Sequence, residues 1–332
     1  MTAGEGERVA PDFGASVMQP GLVWGCARGE SGTRLIDECD AEAGASFRWL
    51  HLNLADERTQ RWLERSTSLP EPIHELMLAR ETHQQVLVED GIVGLVLQDF
   101  EREFDVAQTS QIGVLHIVIT PDTMLTGRYH PIHSADIMRQ RIAAGFDICD
   151  GADALNLAVG TMIDGLSQHV HALSSDIQTA EDEFLNERMS PATRDLIAVR
   201  RRGARLHRLV SGMRATLVRL EKDPDLPALF ATVAERHVQR LHALDTDVAS
   251  TQAQLRQLRD ELDLQAAQKT NQNLYFLSVI SALLLPATLV TGFFGMNTGG
   301  LPFAHTSAGT FVAALAAVAS SLATWLLLRR RP

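Results

Sequence analysis

A polar stripe in an uncharged stretch near the C-terminus contains the residues of this chain best suited to handle an ion. Residues 274–294 have no charged side chain and are long enough to cross a bilayer as a helix. Steps of three and four place eight positions on one face of about 120°, at ~100° per residue. They are Asn271, Leu274, Ser278, Ser281, Leu285, Thr288, Gly292 and Gly295. Polar atoms at membrane depth must be paired or lie beside water, so the stripe predicts either an aqueous path between several copies or a tight helix contact.

Histidines are the other candidate ligands, because zinc favours imidazole. The close groupings are His130 with His133 and His169 with His171, and neither has a Cys or carboxylate at structural-zinc spacing. A dedicated metal site at either pair is therefore the weaker interpretation. His237 falls on an apolar helical stripe and is expected to be a core histidine with its hydrogen bonds satisfied. His305 is either a contact for incoming ions or an exposed loop residue.

Two helices must position the stripe. A second uncharged run, residues 308–328, ends on three arginines, and a loop of residues 295–307 without Lys or Arg separates the two runs. Lys269 precedes the first run, so the positive-inside tendency places both termini in the cytoplasm and the loop outside. The sequence therefore predicts a multi-pass protein of the cell's inner membrane, with spans at about 274–294 and 308–328.

A family resemblance rests on the end of the first span. Pro286-Ala287-Thr288 followed by Thr291-Gly292-Phe293-Phe294-Gly295-Met296-Asn297 is similar to the CorA-type divalent-cation transporters, which have two C-terminal spans joined by a loop that opens on Gly-Met-Asn. Within that family, residues 298–302 (TGGLP) and 273–278 (NLYFLS) resemble the zinc-transporting ZntB-like branch. Magnesium-type members usually have Tyr before the motif and an acidic residue after it. This chain has Phe294 before it and no Asp or Glu from Gly295 to Pro332.

The resemblance implies a homopentamer around a central path, with Gly295, Met296 and Asn297 ringing its outer mouth. As a hypothesis, the Asn297 carboxamide and loop carbonyls bind a divalent cation, with Zn2+ favoured, while it keeps its water. Leu274 and Leu285 are then apolar constrictions that gate by dewetting. No tightly bound cofactor is expected. Proton coupling stays open, because neither span has an Asp, Glu or His.

The rest of the chain is acidic. The first 270 residues hold 41 acidic and 27 basic residues, a balance that argues against a nucleic-acid partner. It suits either a vestibule that concentrates cations or an ordinary solvated surface. We expect a polar tail at 1–16, a cytosolic α/β domain at 17–150, a helical region with a stalk helix at 151–270, and a transmembrane domain at 271–332. Cys26, Cys39 and Cys149 have no metal-type spacing and are expected to be buried thiols.

The predicted fold class is an α/β (α+β) cytosolic domain with a mixed sheet covered by helices, followed by a long stalk helix that continues into two transmembrane helices. Strands are predicted at 22–26, 47–54, 85–89, 91–99, 113–120 and 124–129, and helices at 56–66, 72–79 and 134–144. No Gly or Pro interrupts residues 228–285, so one helix should run into the first span, and Pro286 should only kink it. The resemblance implies the pentameric funnel of the CorA fold.

Enzyme motifs are missing from the sequence, which has no Gly-rich phosphate loop, HExxH or nucleophile elbow. The favoured function is zinc uptake across the inner membrane. The alternatives are a magnesium or cobalt channel of the CorA type, and a membrane-tethered helical scaffold in which the polar stripe is only an oligomer contact.

Overall fold

The computed structural model describes residues 21–30, 32–36, 45–65, 69–80, 83–102, 111–185, 193–296 and 307–329. The predicted tail at 1–16, Cys39, Asn297 and His305 lie outside these ranges. The chain forms two compact units, Met1–Leu255 and Arg256–Pro332.

A seven-stranded sheet forms the centre of the first unit. Its strands are β1 (Leu22–Gly29), β2 (Gly32–Ile36), β3 (Phe47–Asn53), β4 (Gln85–Glu89), β5 (Ile92–Phe100), β6 (Ile112–Ile119) and β7 (Thr123–Arg128). Their order across the sheet is β2-β1-β3-β7-β6-β5-β4, and the β3–β7 pair is parallel while the other pairs are antiparallel. The predicted mixed sheet is therefore confirmed.

Helices cover both faces of the sheet. The helices are α1 (Glu57–Arg65), α2 (Glu71–Leu78), α3 (His133–Ala143), α4 (Gly151–Leu185), α5 (Thr193–Glu221), α6 (Ala228–Gly295) and α7 (Ser307–Arg329). Leu50 and Leu52 of β3 pack with Ile73 and Met77 of α2, whereas Trp49, which precedes Leu50, packs in the core shared with α3 to α6. Alternate residues of a strand face opposite sides, so one strand contributes to both cores.

The predicted elements recur with bounds shifted by a few residues at most, but β2 is absent from the prediction. Cys26 is buried, as expected, and burial raises the pKa of its thiol to about 12. Cys149 is exposed, so the prediction of a buried thiol there is wrong. It lies on the connection between α3 and α4, where its backbone N–H donates to Asp153.

Three long helices pack together in the first unit, where α4 and α5 contact the sheet and α6 contacts α4. The apolar stripe of α4 faces α5 and α6, with Leu166, Val170 and Leu173 buried. α6 begins in this unit and continues, as one helix of 68 residues that includes Pro286, into the second unit. At ~1.5 Å per residue such a helix is on the order of 100 Å long.

Candidate functional site

The second unit contains two helices that are long and apolar enough to cross a membrane. The most apolar stretch of 18 residues in α6 has a mean hydropathy of 2.0, and none of its residues is buried. The stretch Gly309–Leu326 of α7 has a mean hydropathy of 1.6, and 11% of its residues are buried. Large apolar side chains are exposed along both helices, among them Phe276, Leu289, Phe311 and Leu315. Because exposed apolar surface of this extent is costly in water, it indicates a lipid or protein environment.

α7 packs on the side of α6 opposite the polar stripe. Leu283 and Ala287 line a cleft of about 400 Å3 together with Ala317, Val318, Ser321, Leu322 and Trp325. The Ser321 hydroxyl donates to the Leu283 carbonyl at 2.9 Å. Leu283 lies about 160° around the helix from Leu285 at ~100° per residue. The contact with α7 therefore leaves the polar stripe unused.

The stripe is exposed along its described length. Leu274 is 55% exposed and Leu285 68% exposed, while Asn271, Ser278, Ser281, Thr288, Gly292 and Gly295 lie on the same open side of the helix. The small residues of the stripe therefore do not pack on α7. The stripe can instead contact another copy of the chain, line an aqueous path, or do both.

Hydrogen bonding orients the hydroxyl groups of the stripe. Ser278 donates to the Leu274 carbonyl at 2.8 Å, Ser281 to the Leu277 carbonyl at 2.9 Å and Thr288 to the Leu284 carbonyl at 2.8 Å. A hydroxyl has one proton and two lone pairs, so each of these oxygens has used its proton and can only accept. A row of acceptors suits the water molecules of a hydrated cation, which present their protons outward.

The segment predicted to form the outer mouth is described only up to Met296. α6 ends at Gly295, and the Met296 N–H donates to the Gly292 carbonyl at 3.1 Å. The Met296 side chain is 50% exposed. Asn297 and His305, the polar residues predicted for this mouth, stay predictions because they lie outside the described residues.

The described part of the chain has no group of three or more His, Cys, Asp or Glu side chains arranged to hold a metal ion. His169 stacks on Phe100 with ring centroids 4.0 Å apart, and its Nδ1 bonds to the Gly165 carbonyl at 2.9 Å. The contacts of His169 are therefore those of a packed histidine on α4.

His237 is buried, as expected, but the expectation of satisfied hydrogen bonds is wrong. The residue is 1% exposed, and neither ring nitrogen makes a well-formed hydrogen bond within the described chain, the backbone of Asn156 offering only a weak polar contact. Sequence periodicity placed it in the core without showing what faces it. Asp164, which pairs with Arg240 one turn beyond His237, carried no signal in the sequence.

Comparison with known proteins identifies the fold and its class. A model of the family described as CorA-like Mg2+ transporter protein matches residues 44–330. The chain belongs to this family. The CorA-like family is a family of transporters rather than enzymes, and the two apolar helices at the C-terminal end are the candidate membrane spans of this chain.

Individual relatives cover nearly the whole chain. The zinc transport protein ZntB of Yersinia enterocolitica is 25% identical over 287 residues, which are 84% of this chain and 86% of that protein. The full-length CmaX protein has a TM-score of 0.77 at 21% identity and covers 95% of this chain and 99% of its own. The complete CorA magnesium transporter of Methanocaldococcus jannaschii has a TM-score of 0.78 at 16% identity, with 93% and 98% covered. These structures support the CorA-like fold.

Proposed function

We propose that this protein is a divalent-cation transporter of the cell's inner membrane, with Zn2+ as its favoured ion. The observation that carries the proposal is the exposed row of acceptor oxygens on α6, opposite the face that binds α7. The resemblance of residues 298–302 to the ZntB-like branch and the relatives named zinc transport proteins support zinc. The basic residues that flank the two spans support cytoplasmic termini. Uptake is the direction proposed with the zinc assignment, and the flux experiment below tests it.

An oligomer is part of the proposal, because two spans cannot enclose a pore by themselves, and the family resemblance implies that it is a homopentamer. Copies of α6 arranged with the polar stripe inward would line the path, and α7 would face the lipid. Each level of the path then presents a ring of identical groups: Leu274, Ser278, Ser281, Leu285 and Thr288.

The ion moves along this path with its inner water shell. Hydroxyl oxygens of Ser278, Ser281 and Thr288 accept hydrogen bonds from coordinated water and replace only the outer shell, so binding stays weak enough for release. The equivalent Leu274 and Leu285 side chains of the copies form apolar rings without such an acceptor. Water leaves a narrow apolar constriction readily, so we assign these two rings as the gates.

At the outer mouth, Gly295, Met296 and Asn297 bind the arriving cation. The Asn297 carboxamide supplies a neutral oxygen, which suits a loop with no carboxylate. Asn297→Ala should abolish Zn2+ entry while the oligomer stays intact by size-exclusion chromatography. Unchanged flux in that variant would contradict the assignment of the mouth.

The decisive experiment is ion flux into liposomes that contain the purified chain, comparing Zn2+ with Mg2+ at equal pH and under an inward proton gradient. Preferred Zn2+ entry supports the proposal, and enhancement by the gradient adds proton coupling. Gradient-insensitive flux that prefers Mg2+ would make the protein a magnesium-type channel. Absence of flux for either ion would favour the membrane-tethered scaffold.

A further inference from the structure

His237 occupies an unusual position on the helix that continues into the membrane. It lies in the part of α6 that packs against α4, with its Cε1 3.5 Å from where a β-carbon on Gly160 would be. An alanine at position 160 would be in ordinary van der Waals contact with the ring, so the ring faces α4 directly at this level. Both ring nitrogens are buried and neither makes a well-formed hydrogen bond in the described chain, which is costly for polar atoms. The backbone of Asn156 on α4 offers only a weak polar contact.

Two of the three charged groups that act on His237 are cationic. On α6 itself Arg236 and Arg240 flank the ring, and on α4 the facing groups are Asp164 and the backbone of Asn156. Asp164 is already committed, because its two carboxylate oxygens bind Arg240 at 2.7 Å and Arg141 of α3 at 3.0 Å. A proton on His237 would thus add a positive charge beside two arginines, with the nearest carboxylate shared between two other cations.

We propose that His237 is a proton-binding site whose occupation releases α6 from α4. The lone pair of one ring nitrogen takes a proton from water, and the resulting cation is stable only where water can reach it. The contact between α4 and α6 must therefore open. This inference deepens the proposed transport function, on which its consequence rests: a proton bound in the cytosolic unit acts on the helix that carries the pore-lining stripe.

The expected size of the effect follows from linkage. Burial, with added repulsion from Arg240 and Arg236, lowers the pKa of His237 from 6.5 to about 4 in the closed contact. If the ring regains its ordinary pKa when the contact opens, lowering the pH from 8 to 5.5 raises the open-to-closed ratio about tenfold. Above pH 7 the site has almost no effect.

Hydrogen exchange of the full-length chain in lipid nanodiscs tests the site without any transport assay. Wild type is compared at pH 8 and 5.5, after correction for intrinsic exchange rates, with His237→Leu, which keeps an apolar side chain in the contact. His237→Gln is a second variant that cannot bind a proton, and His242→Gln replaces an exposed histidine on the same helix.

We expect amides of α6 near His237 to exchange about tenfold faster at pH 5.5 in wild type and in His242→Gln, and to show no pH response in the two His237 variants. An equal pH response in wild type and in both His237 variants would overturn the proposal, as would a wild type without any response.

Zn2+ flux measured on the same proteins separates this inference from the proposed function. Loss of part of the pH dependence of flux in His237→Leu, but not in His242→Gln, supports coupling of the site to the pore. An intact exchange response with no flux in any protein would leave the proton site standing and contradict the transport function. An intact exchange response with flux whose pH dependence is unchanged in His237→Leu would overturn the coupling.

Discussion

Ser278 and Thr291 make the same kind of hydrogen bond on different faces of the helix proposed to line the pore. Both hydroxyls donate to the carbonyl four residues earlier, at 2.8 and 3.0 Å. Ser278 belongs to the polar stripe, and Thr291 lies outside it, about 140° from Ser278 and about 60° from Thr288 around α6 at ~100° per residue. The two positions therefore test the direction of the pore with matched chemistry.

Ser278→Ala is expected to reduce Zn2+ flux at least about fivefold, because each copy loses an acceptor worth about 1 kcal/mol to the hydrated ion. Thr291→Val, which removes a hydroxyl outside the stripe, should leave flux near the wild-type value. Initial rates in liposomes at matched protein content provide the measurement. The reverse order of sensitivity would place the path on another face of α6.

His51 shows how a buried histidine can be satisfied in the neutral form. Its Nε2 accepts from Arg128 Nε at 3.2 Å, so Nδ1 carries the proton and donates to Thr126 Oγ1 at 2.9 Å. The ring also stacks on Trp24, with centroids 5.1 Å apart. Burial, with added repulsion from Arg128, lowers the pKa of His51 to about 3.

The sign of the resulting pH dependence follows from the lowered pKa. The folded protein binds a proton at His51 less readily than the unfolded chain does. The contribution of neutral His51 to the free energy of unfolding is therefore complete above about pH 6.5 and is lost as the pH falls towards 3. The loss at pH 5.5 should be about 1 kcal/mol. Chemical denaturation at pH 8 and 5.5, followed by tryptophan fluorescence, should show a smaller pH difference for His51→Gln than for wild type. An undiminished difference would contradict the assignment, and His242→Gln is the control.

Two glycines of α4 differ in how much space their surroundings leave for a side chain. A β-carbon on Gly151 would lie 2.7 Å from Ile119 of β6 and 3.3 Å from the Phe230 ring of α6, whereas a β-carbon on Gly165 would meet nothing within 4 Å. The start of α4 thus packs tightly between the sheet and α6, whereas Gly165 has open space beside it.

Gly151→Ala should lower the free energy of unfolding by about 1–3 kcal/mol, because Ile119 is fully buried and cannot move aside freely. Gly165→Ala should raise it by up to about 1 kcal/mol, since alanine favours the helix and the site has room. Thermal unfolding of the two variants beside wild type provides the check. A tolerated Gly151→Ala would mean that the junction adjusts more easily than its packing indicates.

Element by element, long periodic segments were predictable and the short edge strand was not. The unbroken run after residue 228 predicted α6 because neither Gly nor Pro interrupts it before Pro286. β2 is five residues long and has exposed side chains at Arg34 and Leu35. It pairs with β1 through backbone hydrogen bonds, which any side chains allow. Five residues are also too few to show an alternating pattern of apolar and polar side chains.

At the scale of the whole molecule, the proposed pore requires an assembly, because two spans cannot enclose a path by themselves, and the family resemblance implies five copies. We expect the protein solubilised in mild detergent to have five times the 36.4 kDa mass of one chain by native mass spectrometry. Asn297→Ala should retain that mass, because it removes an ion ligand and no packing contact. A monomer or a dimer in lipid nanodiscs would contradict the pore of copies of α6.

The sequence by itself determined the class of the protein and the position of its candidate pathway. Uncharged length, flanking basic residues, the three-and-four spacing of the stripe and the Gly295-Met296-Asn297 motif are local properties, so they can be recognised without knowing what packs where. The sequence left open whether the stripe binds α7, and only the tertiary structure showed α7 on the opposite face through Ser321 and Leu283. Likewise, periodicity buried His237, but which charges face it depends on residues from α3 and α4 that are distant in sequence. The packing of distant segments is fixed in three dimensions, and the pattern along one helix does not encode it.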